Sequence, residues 1–246
     1  MKTIKLIQIL LMLFCITMQN ACAFDKKVNG NGKVITKNFS ISDYDKIEIE
    51  GSMEFDYTQS NTTSKLKITL DENLFDYLDI YVKNKTLVIK KKKDFDKINI
   101  KPTAYQVKSN SSTLNKLKKA GSCNFNILNQ LNTSNFNINS VGSGNIVCKN
   151  NVNINDLSVD IAGSGSVSLT GEVNQAKITL SGAGDIGTYE CCINSLNCNI
   201  VGSGNVKLWV TNHLSYNITG SGYLKYKGNP QLGEHSIVGS GKVIKE

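Results

Sequence analysis

Gly142-Ser143-Gly144-Asn145-Ile146 is the stretch that decides the fold, because close copies of it return through the second half of the chain. Counted from a degenerate first copy at Gly121-Ser122-Cys123, the leading glycines are 21, 21, 19, 20, 18 and 19 residues apart. Repetition at this interval predicts an array of stacked structural units. The glycine pairs of the full copies are the predicted bend residues: Gly142 and Gly144, Gly163 and Gly165, Gly182 and Gly184, Gly202 and Gly204, Gly220 and Gly222, and Gly239 and Gly241.

Apolar residues alternate with Asn, Ser, Thr, Lys and Asp on both sides of each glycine pair. Before Gly163, for example, the apolar positions are Leu157, Val159 and Ile161. A two-residue period is typical of a strand with one buried face. Each repeat is therefore predicted to be two short strands joined at a Gly-x-Gly bend. Stacking the repeats in parallel, about 4.8 Å apart, gives an all-β fold, a parallel β-helix or β-solenoid with coils of about 20 residues.

Glycine fits such a bend for either of two reasons. The inner corner lacks room for a Cβ atom, or the backbone needs a positive φ, and the sequence leaves both reasons open. An antiparallel sandwich is the alternative fold, since it also has short strands at intervals. A sandwich would not repeat one tripeptide at one point of every unit, so the β-helix is favoured.

The composition narrows the classes of function. The 246-residue chain has a formal net charge of +8, with 40% hydrophobic residues, 20 glycines and 2 prolines, which suits a regular array with a sizeable core. All 28 basic residues are lysine, so the bidentate recognition of phosphates and bases by arginine is not available. The lysine run at 90–93 lacks interleaved aromatic residues. It is interpreted as a solvated strand end, and no nucleic-acid partner is expected.

The N-terminus has the features of an export signal, and residues 1–23 are predicted to be a signal peptide. A short basic start precedes an apolar run from Leu6 to Met18, and Ala21-Cys22-Ala23 has the small-x-small form of a cleavage site. In the alternative interpretation, Cys22 is the lipidated first residue of a lipoprotein. Either route exports the protein to the periplasm, the outer membrane or the cell surface. Contact with a membrane is expected only through such a lipid anchor.

Five cysteines remain after cleavage following Ala23, an odd number without metal-ligand spacing. Cys148 and Cys198 occupy inward positions, where a small apolar thiol packs well. Cys191 and Cys192 fall between two coils, and pairing of one of them with Cys198 is the expected disulfide if any forms. Packing in the core is favoured over a structural disulfide for these residues.

Residues 24–246 are predicted to form one domain, with irregular coils over 28–108 and glycine-repeat coils over 109–246. Residues 71–78 begin with acidic side chains and have leucines at helical spacing, which predicts one or two helical turns. This insertion is expected to cover the open end of the solenoid, since the first coil would otherwise expose an unpaired edge. Strands are expected around it at 46–50, 65–70 and 86–90.

Segments 39–51, 68–74 and 82–89, together with the glycine bends, resemble the head GIN domain family of putative auto-transporter adhesins. The likeness covers nearly all of the mature chain. It implies an exported protein of a Gram-negative bacterium with a fold similar to right-handed β-helices, in a family also described as a domain of unknown function. It implies no catalytic residues. The chain departs from the family pattern at Cys123, where a bend glycine is expected, and at His235, an inward apolar position.

Carbohydrate-active β-helices, such as polysaccharide lyases or hydrolases, are the alternative class of function. The lyases need a basic residue beside calcium carboxylates, and the hydrolases need facing carboxylates at a set separation. Only His213 and His235 are available for a triad or a histidine metal site. The sequence therefore predicts no enzyme, no metal site and no cofactor. The acidic residues of the repeats occupy different phases of their coils and are not expected to converge: Asp156, Asp160, Glu172, Asp185 and Glu190.

The outward positions of the coils are dense in Asn, Ser, Thr and Lys. Neighbouring coils are expected to form ladders of amides and hydroxyls, suited to a glycan or protein partner through weak repeated contacts. In the alternative interpretation, these side chains only keep a β-surface soluble. Trp209, Tyr223 and Tyr226 are the predicted exposed aromatic contacts.

The last coil is expected to lack a covering segment, because the sequence ends shortly after Gly241. Two arrangements are expected for this end. Either Lys242, Lys245 and Glu246 protect it by charge, or it packs against another copy or domain.

Overall fold

The structure, a computed structural model, describes residues 26–246. The predicted signal peptide at 1–23 and the lipid-attachment candidate Cys22 lie outside the described residues. The first strands are β1 (Lys26–Asn29), β2 (Val34–Ser40), β3 (Lys46–Gly51), β4 (Glu54–Gln59), β5 (Lys65–Asp71), β6 (Leu78–Lys83), β7 (Thr86–Lys91), β8 (Ile98–Lys101) and β9 (Tyr105–Ser111). Two short 3-10 helices, Glu72–Tyr77 and Lys93–Phe95, interrupt them. The repeats follow as β10 (Lys116–Gly121), β11 (Asn124–Ile127), β12 (Leu131–Gly142), β13 (Ile146–Gly163), β14 (Ser166–Gly182), β15 (Asp185–Gly202), β16 (Asn205–Gly220), β17 (Tyr223–Lys227), β18 (Gln231–Gly239) and β19 (Lys242–Lys245).

The repeats stack in parallel with the leading glycines in register. Gly142 pairs with Gly163, and Gly163 pairs with Gly182. This register confirms the predicted parallel β-solenoid, which has about six turns. The complete ladder of leading glycines runs Gly51, Gly121, Gly142, Gly163, Gly182, Gly202, Gly220 and Gly239.

The two glycines of a bend are required for different reasons. Gly163 has a φ of 125°, and a Cβ atom there would lie 2.5 Å from the carbonyl oxygen of Gly142. Gly204 does not have a positive φ, but its Cβ atom would lie 2.6 Å from the carbonyl oxygen of Gly184. Both demands therefore apply to the first glycine, whereas only the lack of room applies to the second.

The N-terminal coils are stacked in an order that differs from their order in the chain. Strand β3 pairs in parallel with β10, so that Ile47 lies beside Leu117. On its other side β3 pairs with β7. The insertion that contains β5 to β9 therefore covers the first regular coil, through β7 and β9 and not through residues 71–78 alone. Its predicted helical turn is the 3-10 helix Glu72–Tyr77, which buries Leu74 and Phe75.

One hydrophobic core runs through all of these coils and includes Cys148 and Cys198. Their predicted inward packing is confirmed. The five cysteines of the described chain are all free, so neither Cys191 nor Cys192 is bonded to Cys198. Burial raises the pKa of Cys191 and of Cys198 to about 12. Both thiols therefore stay protonated at neutral pH and behave as small apolar side chains.

One inward position carries a lysine where the neighbouring coils mostly carry aliphatic residues. Lys119 pairs with Ile49 on one side and Ser140 on the other, and its side chain is only 1% exposed. Its Nζ donates a 2.7 Å hydrogen bond to the carbonyl oxygen of Gly144. Burial lowers the pKa of Lys119. Burial also raises the pKa of the buried Cys123 to about 12, against the opposing effect of the Lys119 charge.

Candidate functional site

One face of the solenoid has a groove that encloses about 450 Å³ and is called the axial groove below. Each of its two columns of outward side chains takes one residue from each of five successive coils. The first column is Asn135, Asp156, Gln175, Ser195 and His213, and the second is Asn137, Ser158, Lys177, Asn197 and Ser215.

The strand alternation places these columns. The two columns are two residues apart on every strand, so their side chains point outward together. The intervening residues point inward, and Leu157, Ala176 and Leu196 form the floor of the axial groove. With coils about 4.8 Å apart, the five coils span roughly 19 Å. The sequence pattern thus builds a straight surface along the solenoid axis.

Most polar side chains of the axial groove have no partner within the described chain. His213 Nε2 lies 3.2 Å from Ser215 Oγ, and Asp156 accepts a 2.6 Å hydrogen bond from Asn155. The amide and hydroxyl groups of the other members are able both to donate and to accept hydrogen bonds. Seven members of the columns make no side-chain hydrogen bond or ion pair with any residue of 26–246: Asn135, Asn137, Ser158, Gln175, Lys177, Ser195 and Asn197.

The polar side chains on the other side of the same corner are paired with one another. The amide of Asn174 donates to Asn155, and that of Asn194 donates to Asn174, both at 2.9 Å. The predicted amide ladder therefore forms along this column, whereas Asn135 and Asn137, which were also expected to form such ladders, are not paired within the described chain. The ladder borders a smaller hollow of about 300 Å³ that Glu172 also lines. The unpaired amides of the axial groove therefore differ from the paired amides of this ladder, which lie in the same coils.

The predicted aromatic contacts lie outside the axial groove. Trp209 and Tyr223 are 37% and 39% exposed, and the Nζ of Lys227 lies 4.6 Å from the centre of a Trp209 ring. The expectation that Tyr226 is exposed is wrong, because it is only 7% exposed. The alternation that turns Leu224 inward turns Tyr226 inward as well. Trp209 and Tyr223 are also separated along neighbouring strands by about 13 Å, since Tyr223 pairs with a residue four positions before Trp209.

The final coil leaves apolar residues uncovered. Strands β18 and β19 pair with β16 and β17 on one side, and in the described chain no later coil covers the other. Leu232 and Ile237 are 46% and 43% exposed although they continue inward ladders. His235 pairs with Tyr216 as the inward phase requires, and their ring centres are 5.3 Å apart, but it too is exposed.

Charged residues surround this end without covering it. The Nζ of Lys245 donates a 2.7 Å hydrogen bond to Asn229. The carboxylate of Glu246 lies 3.7 Å from the Nζ of Lys225. Both contacts join the final coil to side chains at its rim. They leave the exposed aliphatic residues described above in contact with solvent.

The family model of the putative auto-transporter adhesins, head GIN domain, matches residues 43–230. The chain belongs to the head GIN domain family. The crystal structure of a putative lipid-binding protein from Parabacteroides distasonis is 35% identical, with a TM-score of 0.76 over 89% of this chain and 99% of that one. A putative adhesin from Bacteroides fragilis is 26% identical, with a TM-score of 0.82 over 89% and 100%. One from Parabacteroides merdae is 28% identical, with a TM-score of 0.64 over 89% and 99%.

The comparison with curated proteins gives no match. This head GIN family is described by an adhesin name and not by an enzymatic activity, which indicates a surface or exported protein. Among residues 26–246, no helix is long and apolar enough to cross a membrane. Nor does the described chain bring three His, Cys, Asp or Glu residues together in a metal-binding group.

Proposed function

We propose that this head GIN protein is a non-enzymatic module of the cell envelope that binds partners along its exterior, as an adhesin or surface-interaction domain. The axial groove carries this proposal, because seven of its ten polar side chains lack partners within residues 26–246, while the adjacent ladder of Asn155, Asn174 and Asn194 is internally paired. Unpaired donors and acceptors on a rigid sheet are ready for an external ligand without prior rearrangement. The rest of the exterior keeps the coils soluble.

Export and attachment complete the proposal. Residues 1–23 direct export, and residues 24–246 act as one domain in the periplasm, in the outer membrane or at the cell surface. Lipid attachment at Cys22 is the alternative to simple cleavage. In that case the anchor would hold the N-terminal end of the solenoid at a membrane, with the axial groove further along the stack.

A carbohydrate-active enzyme finds less support. Hydrolysis of a glycosidic bond generally uses two carboxylates that flank it. The axial groove supplies one carboxylate from the described residues, that of Asp156, and Glu172 lines the hollow on the other side of the corner. These two carboxylates line different hollows, so they do not face each other across one ligand.

The name of the Parabacteroides distasonis relative raises lipid binding as another activity. A hollow inside the core beside Leu157, Val159 and Cys191 encloses about 20 Å³. That volume holds about one water molecule. An acyl chain would not fit there, which supports a ligand on the exterior.

The proposal is tested with the mature protein on an array of soluble polysaccharides and envelope glycans, together with assays for new reducing ends and unsaturated products. Retention without turnover is the expected result. Turnover of any retained polysaccharide would instead support the carbohydrate-active alternative. Failure to be retained by any glycan or by intact cells would overturn the proposal that the exterior is a binding surface.

We also propose that the open final coil packs against the same coil of a second copy. Exposed sheet edges and apolar patches favour pairing with another chain. The opposite end of the solenoid is covered by its own insertion, so head-to-tail growth is blocked. A contact between two C-terminal ends closes after two copies, as a symmetric dimer.

A further inference from the structure

We propose that the axial groove binds one extended, uncharged glycan strand, aligned with the solenoid axis at about one sugar ring per coil. The inference rests on the proposed binding function and specifies its site and its ligand class. It follows from the hydrogen-bonding state, the spacing, the charge and the strand pairing of the axial groove.

The hydrogen-bonding state separates the axial groove from the adjacent ladder of Asn155, Asn174 and Asn194. On strand β14, Asn174 is bonded within its ladder, whereas Gln175, the next residue, has no side-chain partner within 26–246. On β15 the same contrast holds between Asn194 and Asn197. Amides that both donate and accept match sugar hydroxyls, which do the same.

The spacing of the axial groove favours a repeating ligand. Each column offers a polar group at every coil, about 4.8 Å apart, and an extended chain of linked pyranose rings advances by a similar length per ring. The volume of about 450 Å³ lies within the usual range of ligand sites. Successive rings would therefore meet equivalent side chains over the five coils.

The charge of the axial groove favours a neutral strand. Its two columns contain one carboxylate, Asp156, and one ammonium group, Lys177, which offset each other. The chain has no arginine, so it lacks the guanidinium fork that recognises carboxylates in acidic glycans. An acidic polysaccharide would meet as much repulsion as attraction here.

The strand pairing argues against a peptide ligand. Strands β13, β14 and β15 are paired on both sides across the axial groove, so no free edge accepts an added strand. Within the described chain its lining also contains no Phe, Tyr or Trp and only a narrow aliphatic floor. Grooves for helices or proline-rich peptides need broader apolar or aromatic surfaces. The missing aromatic residues predict weak binding per strand, strengthened by multivalency.

The test compares two double variants of the mature protein that change the same coils. Gln175→Ala with Asn197→Ala removes amides from the axial groove, and Asn174→Ala with Asn194→Ala removes amides from the adjacent ladder. Circular dichroism verifies that both variants fold. The probes are the neutral oligosaccharides cellohexaose and mannohexaose and the acidic hexagalacturonate, titrated while the side-chain amide signals are followed by NMR.

A neutral hexasaccharide is expected to shift the side-chain amide signals of Gln175 and Asn197, and shorter oligosaccharides should bind more weakly. The groove variant should lose about tenfold in affinity, the effect of one or two hydrogen bonds. The ladder variant and Trp209→Ala should bind like the wild type.

Three results would overturn the inference. Loss of binding in the ladder variant or in Trp209→Ala, with the groove variant unchanged, would place the site elsewhere while leaving the binding function standing. Tighter binding of hexagalacturonate would refute the ligand class. Retention by intact cells without retention by any glycan of the array, with neither neutral hexasaccharide perturbing the groove amides, would refute a glycan site and again leave the wider function intact.

Discussion

The N-terminal and C-terminal ends of the solenoid meet one physical problem, an unpaired sheet edge, in different ways. At the N-terminal end an insertion of residues 60–111 pairs with β3 and β4 and buries the first regular coil. At the C-terminal end the last coil remains exposed and carries aliphatic residues on its inner side. A repeat can extend a stack, but it cannot end one, because every copy has the same two edges to satisfy.

The N-terminal end is held by polar contacts that the repeats lack. The buried carboxylate of Asp71 accepts hydrogen bonds from the backbone of Gly32 at 2.9 Å and of Thr103 at 2.7 Å. The exposed carboxylate of Asp43 accepts a 2.6 Å hydrogen bond from the hydroxyl of Ser112. These contacts join loops that are far apart in the chain. The irregular cap thus depends on a few specific residues, whereas the regular coils depend on a pattern.

The largest effect is expected when a bend glycine is changed inside the stack. Gly182→Ala places a Cβ atom at a φ of 128° and against the carbonyl of Gly163. We expect a loss of about 3 kcal/mol or more in the free energy of unfolding. Gly239→Ala has the same local defect but should cost less, because the open final coil can shift. Urea denaturation followed by circular dichroism measures both, and equal losses would contradict the difference between a buried coil and an open one.

A smaller, pH-dependent effect is expected for Asp71→Asn at the covered end. Burial alone would raise the pKa of Asp71, but hydrogen bonds from Thr103, Gly32 and Ala104 outweigh it and hold the pKa below its ordinary value. The ionised group therefore stabilises the fold above the carboxyl pKa of the unfolded chain, about 3.9. This contribution is lost as the pH falls through the lower pKa of the folded state.

Thermal unfolding from pH 7 down to pH 2 tests this expectation. The wild type should be more stable than Asp71→Asn at neutral pH, and the difference should shrink in acid. A difference that is constant over the whole range would show that the charge of Asp71 does not secure the cap.

The smallest effect on stability is expected at the open end. Ile237→Lys changes a side chain that is already 43% exposed, so the free energy of unfolding should change by less than about 0.5 kcal/mol. Self-association should nevertheless be lost. Sedimentation velocity at increasing concentration measures it, with Val201→Lys as the control because Val201 is equally exposed in the middle of the stack. A wild type that stays monomeric at high concentration would refute the C-terminal contact.

The regular coils were more predictable than the irregular ones. The glycine interval and the alternation around it placed Leu157 and Ile161 inward, as found. The same count also places Tyr226 inward and Lys119 two residues before Gly121, at the phase of Ile161. The aromatic and charged side chains of Tyr226 and Lys119 favour exposure by residue type, but both are buried, so the prediction that Tyr226 is exposed was wrong. In this stacked sheet, the position of a residue within its coil predicts burial better than the type of residue does.

The order of the first coils had no comparable signal in the sequence. Ile47 lies beside Leu117 across an insertion, so the usual interval of the repeat does not apply there. The columns of the axial groove follow from the register, but its concavity and the unpaired state of Gln175 and Asn197 do not. These depend on how the corners of five coils bend together.

By itself, the sequence determined the coil, its inward residues and its bend glycines, because these follow from a local period and from steric limits on one or two residues. Only the tertiary structure decided which coils are neighbours at the covered end, which polar side chains pair and where a groove opens. Those properties arise from contacts between residues that are distant in the chain, and no local pattern records them.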